Sequence, residues 1–165
     1  MQILSRLILV TVCIAINPQA IAQSDREIVR SLEIEEALAK PKTRGIRVQV
    51  KANVDLHIPF EINSSTLKPQ AVDQLEQLES ALKKDSLANY RFEVAGHTDA
   101  SGAAEYNRQL SWRRAESVKR FLVDRGIDGD RLETVGHGEE ELLIPDKPLH
   151  PDNRRVEIRN LGESR

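Results

Sequence analysis

The chain has 165 residues, 39% hydrophobic and 30% charged, with a formal net charge of −2. That length suits one hydrophobic core, and the polarity excludes a bundle of helices embedded in a bilayer. A mildly acidic balance without clustered Lys/Arg excludes a nucleic-acid surface.

The opening segment, "MQILSRLILVTVCIAINPQAIA", joins Arg6 to an apolar run from Leu7 to Ile16 and ends in Ala20-Ile21-Ala22. This predicts an export signal over residues 1–22, cleaved after Ala22. The run is shorter than the ~20 residues that cross a bilayer, so no transmembrane segment is expected in the mature chain. Cys13, the single cysteine, follows "VTV" rather than the Leu-x-Gly/Ala of a lipid-modified cysteine, and leaves with the signal. The mature protein then has no thiol for disulfides, nucleophilic catalysis or a thiolate zinc site. Loss of Arg6 takes the net charge from −2 to −3.

Residues 23–40, "QSDREIVRSLEIEEALAK", place Ile28, Leu32 and Leu38 at roughly helical spacing among charges, and Pro41 and Gly45 close the segment. The apolar stripe is narrow, so 23–45 reads as a solvated helix and linker, with docking of a protein partner as the alternative.

The globular domain is expected over 46–161, with a tail at 162–165. It begins with "IRVQV" and "VDLHIPF", where Val54, Leu56, Ile58 and Phe60 alternate with polar residues as in a half-buried strand. His57 has the opposite phase. An amphipathic helix begins near Lys68 and carries Ala71, Leu75, Leu78 and Leu82 at intervals of three and four. "YRFEVAG" is a second strand, with Tyr90, Phe92 and Val94 on one face.

A long helix runs from about Ala103 to Arg125 and stops at Gly126. "RLETVG" and "RRVEIRN" are the remaining strands, and Pro145, Pro148 and Pro151 mark an irregular loop between them. Strand, helix, strand, helix, strand, strand implies an α+β two-layer sandwich with helices on one face of a mixed sheet.

At ~100° per residue, Ala103, Leu110, Val118, Phe121 and Leu122 form the buried stripe of the long helix, and Arg114 falls in its middle. Asn107, seven positions earlier and thus ~20° away, lies beside it. An inward guanidinium needs an anion, because an unpaired buried charge costs several kcal/mol, roughly. The loop "VAGHTDASG" brings Asp99 to the helix N-terminus, where anions are favoured. Asp99 and Arg114 together suit a zwitterion; a structural salt bridge between them explains the same pattern.

His97, Asp99, His137 and Glu139 could form a metal site, since "HTD" and "HGE" each pair an imidazole with a carboxylate, but the spacing matches no strong metal signature. Ser101 and Ser111 have no activating surroundings, and read as a helix cap and a helix-surface residue. Trp112, on the polar side of the helix, is the candidate for docking a protein.

The motifs "FEINSSTLKP", "VAGHTDASG", "YNRQLSWRRAESV", "VGHGE" and "NRRVEI" occur in that order. Over about Val54 to Ile158 the chain resembles the C-terminal peptidoglycan-binding domain of the outer-membrane protein A family, shared with peptidoglycan-associated lipoprotein and flagellar stator subunits. The resemblance implies a βαβαββ fold with a mixed four-stranded sheet, and non-catalytic binding of peptidoglycan through diaminopimelate in the stem peptide. It implies no cofactor, and a place in the periplasm, in association with the outer membrane, with an envelope protein as the partner open to residues 23–45. The family's aspartate, which holds the ligand's amino group, falls on Asp99; its arginine, which holds the carboxylate, falls on Arg114. Asn63, Thr98, Asn107 and Arg155 of the Asn-Arg-Arg loop are expected at the pocket. Two departures stand out: "EEELLIPDKPLHPD" replaces the Gly-Arg-Ala stretch of many members, and His137 occupies a position often filled by Tyr or Phe.

Overall fold

The computed structural model describes residues 30–39, 52–61 and 63–163. The expected export signal, the strand "IRVQV" and most of the 23–45 segment lie outside them. Within the described residues the order is α1 (Ser31–Ala39), β1 (Asn53–Leu56), α2 (Ala71–Leu82), β2 (Tyr90–His97), α3 (Ala104–Asp124), β3 (Leu132–Gly138) and β4 (Val156–Glu163). Short 3-10 turns at Gly129–Arg131 and Pro151–Asn153 precede β3 and β4.

The four strands form one sheet in the order β1-β4-β2-β3. β2 and β3 run parallel, while β4 is antiparallel to both β1 and β2. This is the α+β architecture with a mixed sheet that the element order implied. Val54, Leu56, Phe92, Val94, Val156 and Ile158 point from the sheet into a single core with the helices, the alternation that a one-sided sheet demands. The opposite face carries Asp55, Glu93, His97, His137, Glu157 and Arg159.

Several boundaries differ from expectation for physical reasons. β1 ends at Leu56 rather than Phe60, because Pro59 has no N–H to offer a ladder; Ile58 is still buried, and Phe60 makes an isolated bridge to Leu67. Gly162 and Glu163 are not a tail but the end of β4, opposite Arg91 and Tyr90. The helix α1 is not solvated: Ile34 and Leu38, at i and i+4, are fully buried in the core while Leu32 is exposed. Gln77 Oε1 accepts from Ser31 N at 3.1 Å, and Asn160 Nδ2 donates to Leu38 O at 2.7 Å. Of the stripe read from the sequence, Leu38 is thus spent on the domain itself, Leu32 faces solvent, and Ile28 lies outside the described residues.

The long helix α3 matches its expected span to one residue at each end. Its buried side contains Asn107, Leu110, Ser111, Arg114, Ala115, Val118 and Leu122, whereas Ala103 is the exposed, extended residue before it. α3 lies unusually close to the sheet, over the paired glycines Gly96 and Gly136.

Candidate functional site

β2 ends at His97, and the chain turns through Thr98 and Asp99 into α3. Asp99 Oδ1 accepts from Ser101 N at 3.1 Å and from the Ser101 hydroxyl. Its Oδ2 accepts from Arg154 Nη1 at 2.5 Å. Burial acts to raise the Asp99 pKa, but the hydrogen bonds from Ser101 and Arg154 prevail and hold it below the usual carboxylate range. Ser101 therefore braces the aspartate instead of capping α3, whose N-cap residue, Ala103, offers no side-chain bond.

Arg114 is buried, as its place on the stripe required. Its Nε donates to Ser64 O at 3.1 Å, and its guanidinium lies over the Phe60 ring at 5.0 Å. Among the described residues no carboxylate stands within 4.0 Å of it. The Asp99–Arg114 salt bridge left open by the sequence is not formed, since Arg154 occupies the aspartate. Burial lowers the Arg114 pKa; Arg154 pushes the same way and Asp99 opposes. Arg114 thus sits buried without an ion-pair partner among the described residues.

Arg114 borders a cavity of about 210 Å³ whose wall includes Phe60, Lys68, His97, Arg114, Arg154 and Arg155. Among the described residues no carboxylate bearer is part of the wall. Arg155 is held by Asp55 at 2.6 Å and by the carbonyl of Glu141 at 3.2 Å. Asn107 is not part of the wall: its amide nitrogen donates to Ser101 O at 3.0 Å and Glu139 Oε2 at 2.6 Å, fixing the loop beneath Asp99. Thr98 is buried with its hydroxyl unpartnered among the described residues and its N–H on Gly138 O at 2.7 Å. Asn63 is exposed, in a left-handed turn with φ 50°, and the carbonyl of the next residue, Ser64, accepts from Arg114.

Arg154, Lys68 and Asn153 escaped the sequence reading. Arg154 stands beside Arg155 in "NRRVEI", and only the path of the chain decides which of the two reaches Asp99. Asn153, fully buried, accepts from Ile144 N at 2.9 Å and donates to Lys147 O and Pro148 O. It folds the divergent loop on itself, and Pro148 O then accepts from Ala100 N at 2.9 Å, tying that loop to Asp99.

The metal set suggested by "HTD" and "HGE" is not assembled, because Asp99 goes to Arg154 and Glu139 to Asn107. The open sheet face does gather His97, Glu141 and Glu157, with ligand-type atoms within 4.8 Å of one another. Arg159 supplies the cation there, at 2.8 Å from Glu157 Oε2 and 2.5 Å from Glu141 Oε2. Burial favours the neutral form of Glu157, yet the neighbouring His97 and the hydrogen bonds that Arg159 and Asn53 donate drive its pKa far below the usual range. Ser111 is not a surface residue: it is fully buried, donates to Arg108 O at 2.8 Å and accepts from Gly138 N at 2.9 Å. Trp112 is half exposed, on the solvent side of α3 as expected.

His97 is stacked on His137 with centroids 5.2 Å apart. Its Nε2 lies 3.3 Å from Glu157 Oε2 but outside hydrogen-bonding geometry, and neither ring nitrogen has a partner among the described residues. Burial pushes its pKa below the ordinary 6.5, overcoming the pull of Glu157. As pH falls through 6.5 the unfolded chain takes up this proton while the native ring stays neutral. Stability should therefore be lost from there down to the lowered native pKa, at up to ~1.4 kcal/mol per pH unit. Denaturant titrations between about pH 7.5 and 5 should show this slope in the wild type and a shallower one in His97→Gln; equal slopes would refute a buried neutral His97.

Fold and site together define an α+β domain of the OmpA-like type, with a basic cavity at the corner where β2 passes into α3. The model of the OmpA family matches residues 59–155, and the chain belongs to that family. It is 35% identical over 128 residues to outer membrane protein A of Bordetella avium, covering 74% of this chain and 63% of that one. It is 40% identical over 102 residues to a peptidoglycan-associated lipoprotein of Pseudomonas putida, covering 61% of this chain and 60% of that one. The crystal structure of the peptidoglycan-associated lipoprotein from Burkholderia pseudomallei superposes with a TM-score of 0.53 at 30% identity, over 64% of this chain and 88% of that one. The chain thus spans about three-fifths of the length of the first two relatives, at 63% and 60%.

Proposed function

We propose that this protein binds peptidoglycan without cutting it, by holding the diaminopimelate residue of a stem peptide at Asp99 and Arg114. The observation that carries this reading is the buried Arg114, which lines a cavity and has no carboxylate within 4.0 Å among the described residues. A planar guanidinium offers a carboxylate two parallel hydrogen bonds. Asp99 presently holds the Arg154 guanidinium, so the ligand's ammonium enters by replacing one cation with another. Thr98, Asn107 and Asn63 act through the loops that set Asp99 and Arg114, and Arg155 closes the cavity wall.

The names of the relatives support a place in the cell envelope, and residues 1–22 read as the export signal that delivers the protein to the periplasm, at or near the outer membrane. The reading of the protein as a binder rather than an enzyme rests on the hydroxyls of Ser101 and Ser111, both committed to structural hydrogen bonds. The mature protein should sediment with purified sacculi, Asp99→Asn should remain largely in the supernatant, and no soluble muropeptides should appear. Release of muropeptides by the wild type but not by Asp99→Ala would overturn the non-catalytic reading.

A further inference from the structure

The peptidoglycan reading leaves a charge mismatch in the cavity. One carboxylate and one ammonium make a neutral head group, yet the wall carries Lys68, Arg114, Arg154 and Arg155. Two of these are compensated from behind, Arg154 by Asp99 and Arg155 by Asp55. Lys68 and Arg114 are not: among the described residues neither has a carboxylate within 4.0 Å. The same wall contains the fully buried His97, whose ring nitrogens have no hydrogen-bond partner among the described residues, with Glu157 Oε2 3.3 Å from Nε2. A buried polar group without a partner is costly, and here it borders the space a ligand would fill.

Resting on the reading above, we propose that the cavity is a two-carboxylate site: Arg114 takes one acid group of the diamino diacid, and Lys68 with Arg154 takes the other. The protein then selects stem peptides that end at the diamino acid, with both acids free. The Arg154 side chain is 45% exposed, so it has room to leave Asp99 Oδ2 when the ligand's ammonium arrives, and the released guanidinium faces the second acid. Where the stem continues past this residue, or the acid is amidated, the second group is a neutral amide. Lys68 and Arg154 are then left beside a desolvated group that cannot neutralise them.

The test uses the tripeptide L-alanyl-γ-D-glutamyl-diaminopimelate as the free acid and with its terminal carboxyl amidated, each titrated calorimetrically into the mature protein at one salt concentration. The wild type should prefer the free acid by about tenfold or more. Lys68→Gln and, separately, Arg154→Gln should cut that preference to about threefold or less, and Lys68→Gln should bind the amide about as well as the wild type. Circular dichroism checks that each variant is folded. A wild type that takes both peptides equally, or a Lys68→Gln variant weakened equally toward both, overturns the two-carboxylate site while Arg114-dependent binding survives. A wild type that binds neither peptide overturns the peptidoglycan reading and this inference with it.

Discussion

Arg114→Met should abolish binding to sacculi while leaving the stability of the empty protein within about 1 kcal/mol of the wild type. In the empty protein the guanidinium makes one hydrogen bond among the described residues, to Ser64 O at 3.1 Å, and a stacking contact with Phe60. Losing that hydrogen bond costs about 1 kcal/mol. Relief from burying a guanidinium without a carboxylate partner offsets it, and the Met side chain keeps the apolar packing of the Arg stem. Binding behaves differently. Truncating one partner of a buried, hydrogen-bonded charge pair costs about 2–5 kcal/mol, which is roughly a 30-fold loss or more. Arg114→Lys should also bind poorly, since an ammonium cannot reproduce the planar two-bond grip. Denaturant titration of the empty protein and sedimentation with sacculi decide the matter together. A large loss of stability with unchanged sedimentation would show that Arg114 is structural.

Gly96→Ala should destabilise the fold by about 3 kcal/mol or more and take binding with it. A Cβ at this position would lie 2.1 Å from Ser111 O and 2.7 Å from Ser111 C, both backbone atoms of α3. Its register partner Gly136 is also too tight for a Cβ, which would lie 2.5 Å from Arg108 O and from Trp112 N. No side-chain rotation can relieve such contacts. The helix must lift from β2, and α3 carries Arg114 while β2 leads into Asp99, so the cavity opens at the corner that shapes it. Gly129→Ala is the control: its φ lies outside the positive range, and the nearest atom is Val123 Cγ2 at 3.5 Å. It should change stability by no more than about 0.5 kcal/mol. Equal urea midpoints for the two variants would remove the case that close approach of α3 requires glycine.

Local periodicity determined a good deal. The three- and four-residue spacing of Ala71, Leu75, Leu78 and Leu82 defined α2, the alternation of Tyr90, Phe92 and Val94 defined β2, and the position of Arg114 on the apolar side of α3 marked the cavity before any coordinates. These signals survive in the sequence because burial repeats with the period of the element. Asp99 and Arg114 both belong to the motifs through which the chain resembled the OmpA family. What periodicity cannot carry is the identity of a partner far away in the chain. Asp99 is held by Arg154, 55 positions on, and Arg155 by Asp55, 100 positions back. Which of two adjacent arginines goes to which carboxylate depends on how β4 enters between β1 and β2 and on how Asn153 folds the loop before it. Ser111 looked like a surface hydroxyl because a small polar side chain carries no signal for burial, and only the closeness of α3 to two glycines placed it under β3. The narrow stripe of α1 looked too small for a core until Ile34 and Leu38 met α2 and β1, since burial depends on what lies opposite a side chain as well as on its own element.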